Sequence, residues 1–138
     1  MDMTVNAPPV DTSTLFTQVR FNQLLDLQRE FAEDGVARLV LQARPELTNN
    51  FHAVHGGVLM TMLDGAMSSA ALSKSGFTKA VVTIDMSTSF IKPGRGRLVA
   101  HGLTVGGGRS ICFCEARIED ENGDLVARAL GSFKYVNP

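Results

Sequence analysis

The stretch from His55 to Ser75 constrains this chain more than any other. Val58, Leu59, Met60, Met62, Leu63, Ala66, Met67, Ala70, Ala71 and Leu72 fall on almost every face of a helix. A helix that is apolar all round is a buried one, and at about 1.5 Å per residue it runs roughly 30 Å. The rest of the chain has to cover it. One sheet face gives too little cover for such a rod, so the composition of this helix predicts a partner subunit.

The flanking segments are read from period and punctuation. Residues 1–12 hold two prolines and no periodicity, and are expected to form a mobile arm ahead of a single domain over 13–138. Phe21, Leu24, Leu25 and Phe31 approximate helical spacing, which predicts an amphipathic helix ending at Gly35. Val36–Arg44 alternates as a half-buried strand stopped by Pro45, and residues 46–54 form a loop. After the long helix the pattern predicts four strands in a meander, over 80–90, 98–105, 110–119 and 125–136. In the first of them Val82, Ile84, Met86 and Phe90 alternate with Thr83, Asp85, Ser87 and Ser89. Turns are expected at Lys92-Pro93-Gly94, at Gly106–Gly108, and at Asn122-Gly123 as a type I′ hairpin. The class is α+β: an antiparallel sheet of about five strands wrapped around one long central helix, with an extra N-terminal helix.

Composition removes several functions. Thirteen basic and 14 acidic residues give a net charge of −1, and no basic cluster exceeds Arg95-Gly96-Arg97, so a nucleic-acid surface is not expected. No run of about 18 apolar residues suggests a membrane span, and no charged-then-apolar leader is seen, so the expected location is cytoplasmic. Cys112 and Cys114 are too close in sequence for easy disulfide geometry and lack nearby co-ligands; they read as small buried hydrophobes of one strand face. No metal site is expected.

Asp64 is the anomaly. It lies mid-helix in an apolar run, where aspartate is a poor helix former and costly to bury unpaired. Thr61 and Ser68, at i−3 and i+4, share its face. The stripe reads either as solvent-exposed, as an Asp bonded to neighbouring backbone, or as a functional acid. At the helix start, His55-Gly56-Gly57 can present free N–H groups to a developing oxyanion, or can simply let the chain turn. Nine residues from His55 to Asp64 span about 13.5 Å, so one subunit cannot bring both ends to one atom. If they cooperate, the acid comes from the facing helix of a second subunit.

Asn49, the His55-Gly-Gly run and Asp64 resemble the hotdog-fold acyl-CoA thioesterases, in the phenylacetate-pathway (PaaI-type) branch. The resemblance runs from about Arg38 to the C-terminus and takes in Val82-Thr-Ile-Asp-Met, Phe90-Ile-Lys-Pro, Gly108-Arg109-Ser110 and Gly123-Asp-Leu-Val-Ala. It implies a hotdog fold assembled as dimers paired edge to edge, with two dimers often making a tetramer. It implies Asp64 as nucleophile or general base and the backbone N–H of Gly56, or Gly57, as carbonyl donor. Asn49 would assist at the carbonyl, His55 would orient the loop, and Thr83 would hold the attacking water. One position departs from the family: relatives often have glycine three residues before the histidine, where this chain has His52.

The substrate so implied is an acyl-CoA or aryl-CoA thioester, with coenzyme A part of the substrate and no separate cofactor. Its phosphates could meet Gly108, Arg109 and Ser110 through backbone N–H groups and a guanidinium, with Lys92, Arg95 and Arg97 as further candidates. No Gly-x-Ser-x-Gly nucleophile elbow is present. Two other readings of the same fold stand beside hydrolysis: a non-catalytic acyl-CoA binder or sensor, and a hydratase or dehydratase.

Overall fold

Asp34 and Gly35 both adopt positive φ, 48° and 83°. That is the signature of a two-residue type I′ hairpin, and it pairs Glu33 with Val36. The segment expected to be one helix ending at Gly35 is therefore two short helices, α1 (Leu15–Gln18) and α2 (Arg20–Leu25), followed by a strand, β1 (Gln28–Glu33). The computed structural model describes residues 9–138. Residues 1–8 of the expected arm lie outside the described residues. At its other end Thr12 is buried, donating its N–H to the Phe77 carbonyl at 2.8 Å and its hydroxyl to the Lys79 carbonyl at 2.7 Å.

The remaining elements are β2 (Val36–Gln42), α3 (Gly56–Lys74), β3 (Ala80–Phe90), β4 (Arg97–Gly107), β5 (Ile111–Glu119) and β6 (Leu125–Val136). They form one antiparallel sheet of six strands, in the order β1-β2-β4-β5-β6-β3, with α3 packed across it. This is the α+β hotdog arrangement, with one strand more than expected. The four-strand meander is corrected too. Only β4, β5 and β6 run consecutively, and β3 crosses over to pair with β6 and forms a sheet edge.

Two turns also differ. Gly106 and Gly107 remain in β4, opposite Phe113 and Cys112, past a bulge that follows Thr104. At Asn122-Gly123 only the glycine has positive φ, 79°. Asp120 builds that turn instead, its Oδ1 accepting the N–H groups of Asn122 and Asp124 at 2.9 and 3.0 Å.

The cover for α3 comes largely from its own chain. Eleven of its 19 residues are buried within the single chain. The sheet covers one side, while Phe16, Leu25 and Leu27 of the N-terminal segment join the core cluster. Full burial of each such side chain stabilises the fold by about 1.5–3 kcal/mol. The need for a partner therefore does not follow from the helix composition. Close approach of helix and sheet depends on Gly102 of β4, where a Cβ would stand 2.2 Å from the Ala66 carbonyl oxygen. Cys112 and Cys114 are buried and free, with their sulfurs 3.7 Å apart, as small core residues. No helix among the described residues is long and apolar enough to cross a membrane.

Candidate active site

The acid on α3 is positioned by an irregularity in β3. In the pairing with β6, Thr83 stands opposite Phe133, a buried core residue, and Asp85 opposite Ser132, so Ile84 is an extra residue. Bulges of this kind re-aim side chains beside functional sites. Here Thr83 turns toward α3, while Val82 and Ile84 are 51% and 52% exposed. The expected alternation, with Val82 and Ile84 in the core and Thr83 outward, is reversed over this half of the strand. Beyond the bulge, Met86, Thr88 and Phe90 take the helix-facing side, opposite Gly131, Ala129 and Ala127.

The result is a short hydrogen bond, Thr83 Oγ1 donating to Asp64 Oδ1 at 2.6 Å. Asp64 is half-buried. Its stripe neighbours are occupied with their own helix: Thr61 donates to the Gly57 carbonyl at 2.9 Å and Ser68 to the Gly65 carbonyl at 3.2 Å. Asp64 is thus not bonded to adjacent backbone. It is held from the sheet, by the Thr83 hydroxyl.

At the other end of α3, His55 caps the helix. Its Nδ1 accepts the Gly57 N–H at 2.8 Å, which places the imidazole proton on Nε2. The Val58 and Leu59 N–H groups go to the His55 carbonyl at 2.9 and 3.1 Å. Gly57 therefore has no free N–H, and the Gly56 N–H has no protein acceptor among the described residues. Of the two glycines considered as carbonyl donors, the cap leaves Gly56.

Asn49 organises the loop before the helix. Its Oδ1 accepts the N–H groups of Phe51 and Ala53 at 2.9 and 3.2 Å, and its own N–H donates to the Ala53 carbonyl at 2.8 Å. The side-chain amide nitrogen stays available. Asn49, Gly56 and Lys92 line one cavity of about 390 Å³, walled by Phe51, Leu59 and Phe90. Phe90 reaches it because of the bulge, and a Cβ on Gly56 would lie 3.5 Å from its ring. Sequence reading did not single out Phe51, since an exposed aromatic in a loop carries no local signal, and it noted Phe90 only in the strand alternation and in the Phe90-Ile-Lys-Pro run. His52 sits in the same loop at φ 60°. That backbone conformation explains why glycine suits the position.

Asp64 and Gly56 of one chain stand about 12 Å apart along the helix, as eight residues require. The sequence-predicted set is thus split into an acid with its Thr83 partner and a donor with its cavity.

The basic candidates separate as well. Lys92 already bridges Asp120 and Asp124 at 3.0 and 2.9 Å. Hydrogen bonds to Asp124 and then Asp120 raise the Lys92 pKa, and the bond from Lys92 lowers that of Asp120. Arg97 pairs with Glu30 at 3.1 Å, and Arg95 donates to the Phe51 carbonyl at 3.2 Å. Gly108 gives its N–H to the Ile111 carbonyl at 2.8 Å and so does not offer it to a ligand. Ser110 accepts the Tyr135 N–H through its carbonyl at 2.8 Å. Arg109 lines a separate cleft at the far end of α3, with Lys74 and Lys79. Those two lysines bracket a helix end and drew no attention in the sequence. Among the described residues no three His, Cys, Asp or Glu side chains group as a metal site.

Comparison with known proteins places this arrangement. The sequence model of the thioesterase superfamily matches residues 51–127. A Halobacterium salinarum protein named as a candidate esterase is 34% identical over 122 residues, covering 80% of each chain. A conserved protein of Pseudomonas aeruginosa superposes with a TM-score of 0.81 at 27% identity, over 84% of this chain and 93% of its own. The PaaI protein of the Escherichia coli phenylacetic acid degradation operon shares the fold, with a TM-score of 0.80 at 18% identity, over 94% of this chain and 97% of its own.

Proposed function

This chain belongs to the thioesterase superfamily, and from that membership we propose that it hydrolyses an acyl-CoA or aryl-CoA thioester to the free acid and coenzyme A. The observation that carries the proposal is the Thr83–Asp64 hydrogen bond, which holds a carboxylate on an apolar helix beside an open sheet edge. A thioester is already activated, so hydrolysis needs an aligned attacker and a polarised carbonyl. Asp64 supplies the attack, as nucleophile or as general base on a water held by Thr83. The Gly56 N–H, left free by the His55 cap, supplies the carbonyl donor, with the Asn49 amide beside it. One oxyanion donor is typically worth roughly 3–4 kcal/mol, and general-base assistance about a hundred- to ten-thousandfold in rate. No cofactor is required beyond the coenzyme A of the substrate.

The 12 Å between Asp64 and Gly56 makes the site a shared one. The β3 edge, with Val82 and Ile84 facing outward, supports pairing with a second copy, so that Asp64 of one chain meets Gly56 of the other. The outer sheet face, where Leu103, Phe113 and Leu130 are exposed, supports a further union of two dimers. The test is release of free thiol from a panel of acyl-CoAs. Asp64→Ala is expected to lose at least a hundredfold in kcat. Equal activity, or equal inertness, of wild type and variant on every thioester would refute the proposal.

A binder or a hydratase on the same fold makes less use of these residues. A pure binder has no use for an acid held at 2.6 Å by a hydroxyl.

A further inference from the structure

Gly56, Met60 and Asp64 follow one another at four-residue spacing on α3, so they share one face. The chain leaves that face open: all three are at least partly exposed, while Val58, Leu59, Met62 and Leu63 beside them are buried. Met60 is 37% exposed, and every other large apolar side chain of α3 is buried. The one large apolar residue left open on the helix thus stands midway between the donor and the acid. A shared site fixes where a second copy can sit. If Asp64 of each chain meets the partner's Gly56, the two helices run antiparallel and the two-fold axis crosses the middle of that interval, at Met60.

The strand gives a matching centre. Thr83 marks the level of Asp64 on β3, and Phe90 marks that of Gly56. Their partners on β6 are Phe133 and Ala127, and the middle of that interval is Leu130, which faces Ser87. Pairing β3 with its copy about Ser87 sets Thr83 against the partner's Phe90, Met86 against the partner's Thr88, and the bulge against the partner's Ser89. Helix-facing residues then meet helix-facing ones at every step, as a continuous sheet requires. An axis half a step away would oppose Met86 to Ser87, which face opposite sides. An axis at Met86 keeps the alternation but carries the partner's Phe90 two residues, about 7 Å, away from Thr83. Charge agrees with Ser87. Asp85 is the one ionised residue of β3, and Asp64 the one on α3 between Gly56 and Ser68. Neither meets its own copy in this register, whereas an axis through Asp85 would oppose like charges.

We infer that two copies of this chain join about one axis through Met60 and Ser87, and that Met60, packed on its own copy, is the wall between the two active sites. The inference rests on the shared thioesterase site and adds to it the register of the pairing and a residue common to both sites. Those sites then lie about 12 Å apart, the interval from Asp64 to Gly56 along one helix.

Only a residue on a two-fold axis faces itself, and the test uses that property. Ser87 is exposed on the outward side of β3, in neither half-site. In Ser87→Cys the two Cα atoms stand about 4.5–5.5 Å apart, within disulfide range. Mild oxidation should therefore link this variant into a covalent dimer on non-reducing electrophoresis, with activity retained. Ser89→Cys, on the same side but about 13 Å from its copy, should stay unlinked. Cys112 and Cys114 are buried, so the wild type should stay unlinked too. Met60 is read by charge exchange. Met60→Glu and Met60→Lys should each weaken dimerisation roughly tenfold or more in sedimentation, because each charge meets itself, and an equimolar mixture should recover a mixed dimer. An unlinked Ser87→Cys would overturn the axis, as would a linked Ser89→Cys or Met60 variants that fail to associate on mixing. None of these readouts needs a substrate. A linked Ser87→Cys dimer that is inert, like the wild type, on every acyl-CoA would sink the thioesterase function and leave the axis standing.

Discussion

His52 shows how a single backbone angle records a choice of residue. A non-glycine residue at φ 60° is under steric load, though histidine tolerates the left-handed region better than most. His52→Gly removes that load but gives the unfolded chain more freedom. The net expectation is a gain of about 0.5–1 kcal/mol, read as a small rise in the midpoint of urea unfolding. Thr83 is the complementary case, a residue whose bond to Asp64 would serve the proposed chemistry. A hydrogen bond to a charged group is worth about 1.5–3 kcal/mol. If Thr83 orients Asp64, Thr83→Ala lowers kcat roughly ten- to a hundredfold with KM little changed, and Thr83→Ser restores most of it. A fall in both variants alike would point to packing instead. The Asn49, His55-Gly-Gly and Asp64 spacing was legible in the sequence because each piece is local to one loop and one helix. The facing of Thr83 was not, because alternation along β3 gave the opposite side. Only a family resemblance singled it out.

Among elements, the packing of α3 on β4 is the least forgiving. Gly102→Ala drives a Cβ to 2.2 Å from the Ala66 carbonyl oxygen, and backbone has to move. The expected cost is about 1–3 kcal/mol of unfolding free energy, measured by denaturant titration. The β5–β6 hairpin is fastened to the chain after β3 by Lys92 between Asp120 and Asp124. Asp120 has a lowered pKa in the fold, so its contribution is present above the unfolded value and is lost as pH falls through the folded one. Lys92 has a raised pKa, so its share is complete below its unfolded value and disappears only as pH climbs past the folded one. The fastening therefore holds across neutral pH and loosens in acid, below about pH 4. Amide exchange at residues 92–97 and 120–124 should quicken there relative to the core, and Lys92→Gln should remove the difference. The same scale explains what sequence reading missed. The spacing of Phe21, Leu24, Leu25 and Phe31 imitates a helix, yet Asp34-Gly35 carries the hairpin turn. Asn122-Gly123, a stronger hairpin signal on paper, is instead closed by Asp120.

For the molecule as a whole, one chain holds an acid and a donor that cannot meet. If the β3 edge pairs two copies, Val82→Lys with Ile84→Lys is expected to yield a folded monomer, seen by sedimentation at micromolar concentration, with hydrolysis abolished. A monomer that stays active would refute the shared site. The chain length pointed to one domain, and the spacing of His55 and Asp64 along the helix to half of each site on the shared-site reading. They did not say where the other half attaches, since that depends on an edge created by a strand crossover. The bulge at Ile84 has one more consequence, and it is arithmetical. Before it, the helix-facing residues of β3 bear odd numbers, Val81 and Thr83; after it they bear even ones, Met86, Thr88 and Phe90. Deleting that extra residue would restore regular alternation with Thr83 and Phe90 both still facing α3. A strand of full length without the bulge would instead carry one parity throughout, and either Thr83 would leave Asp64 or Phe90 would leave Gly56, so a single local irregularity keeps the two ends of the strand in step.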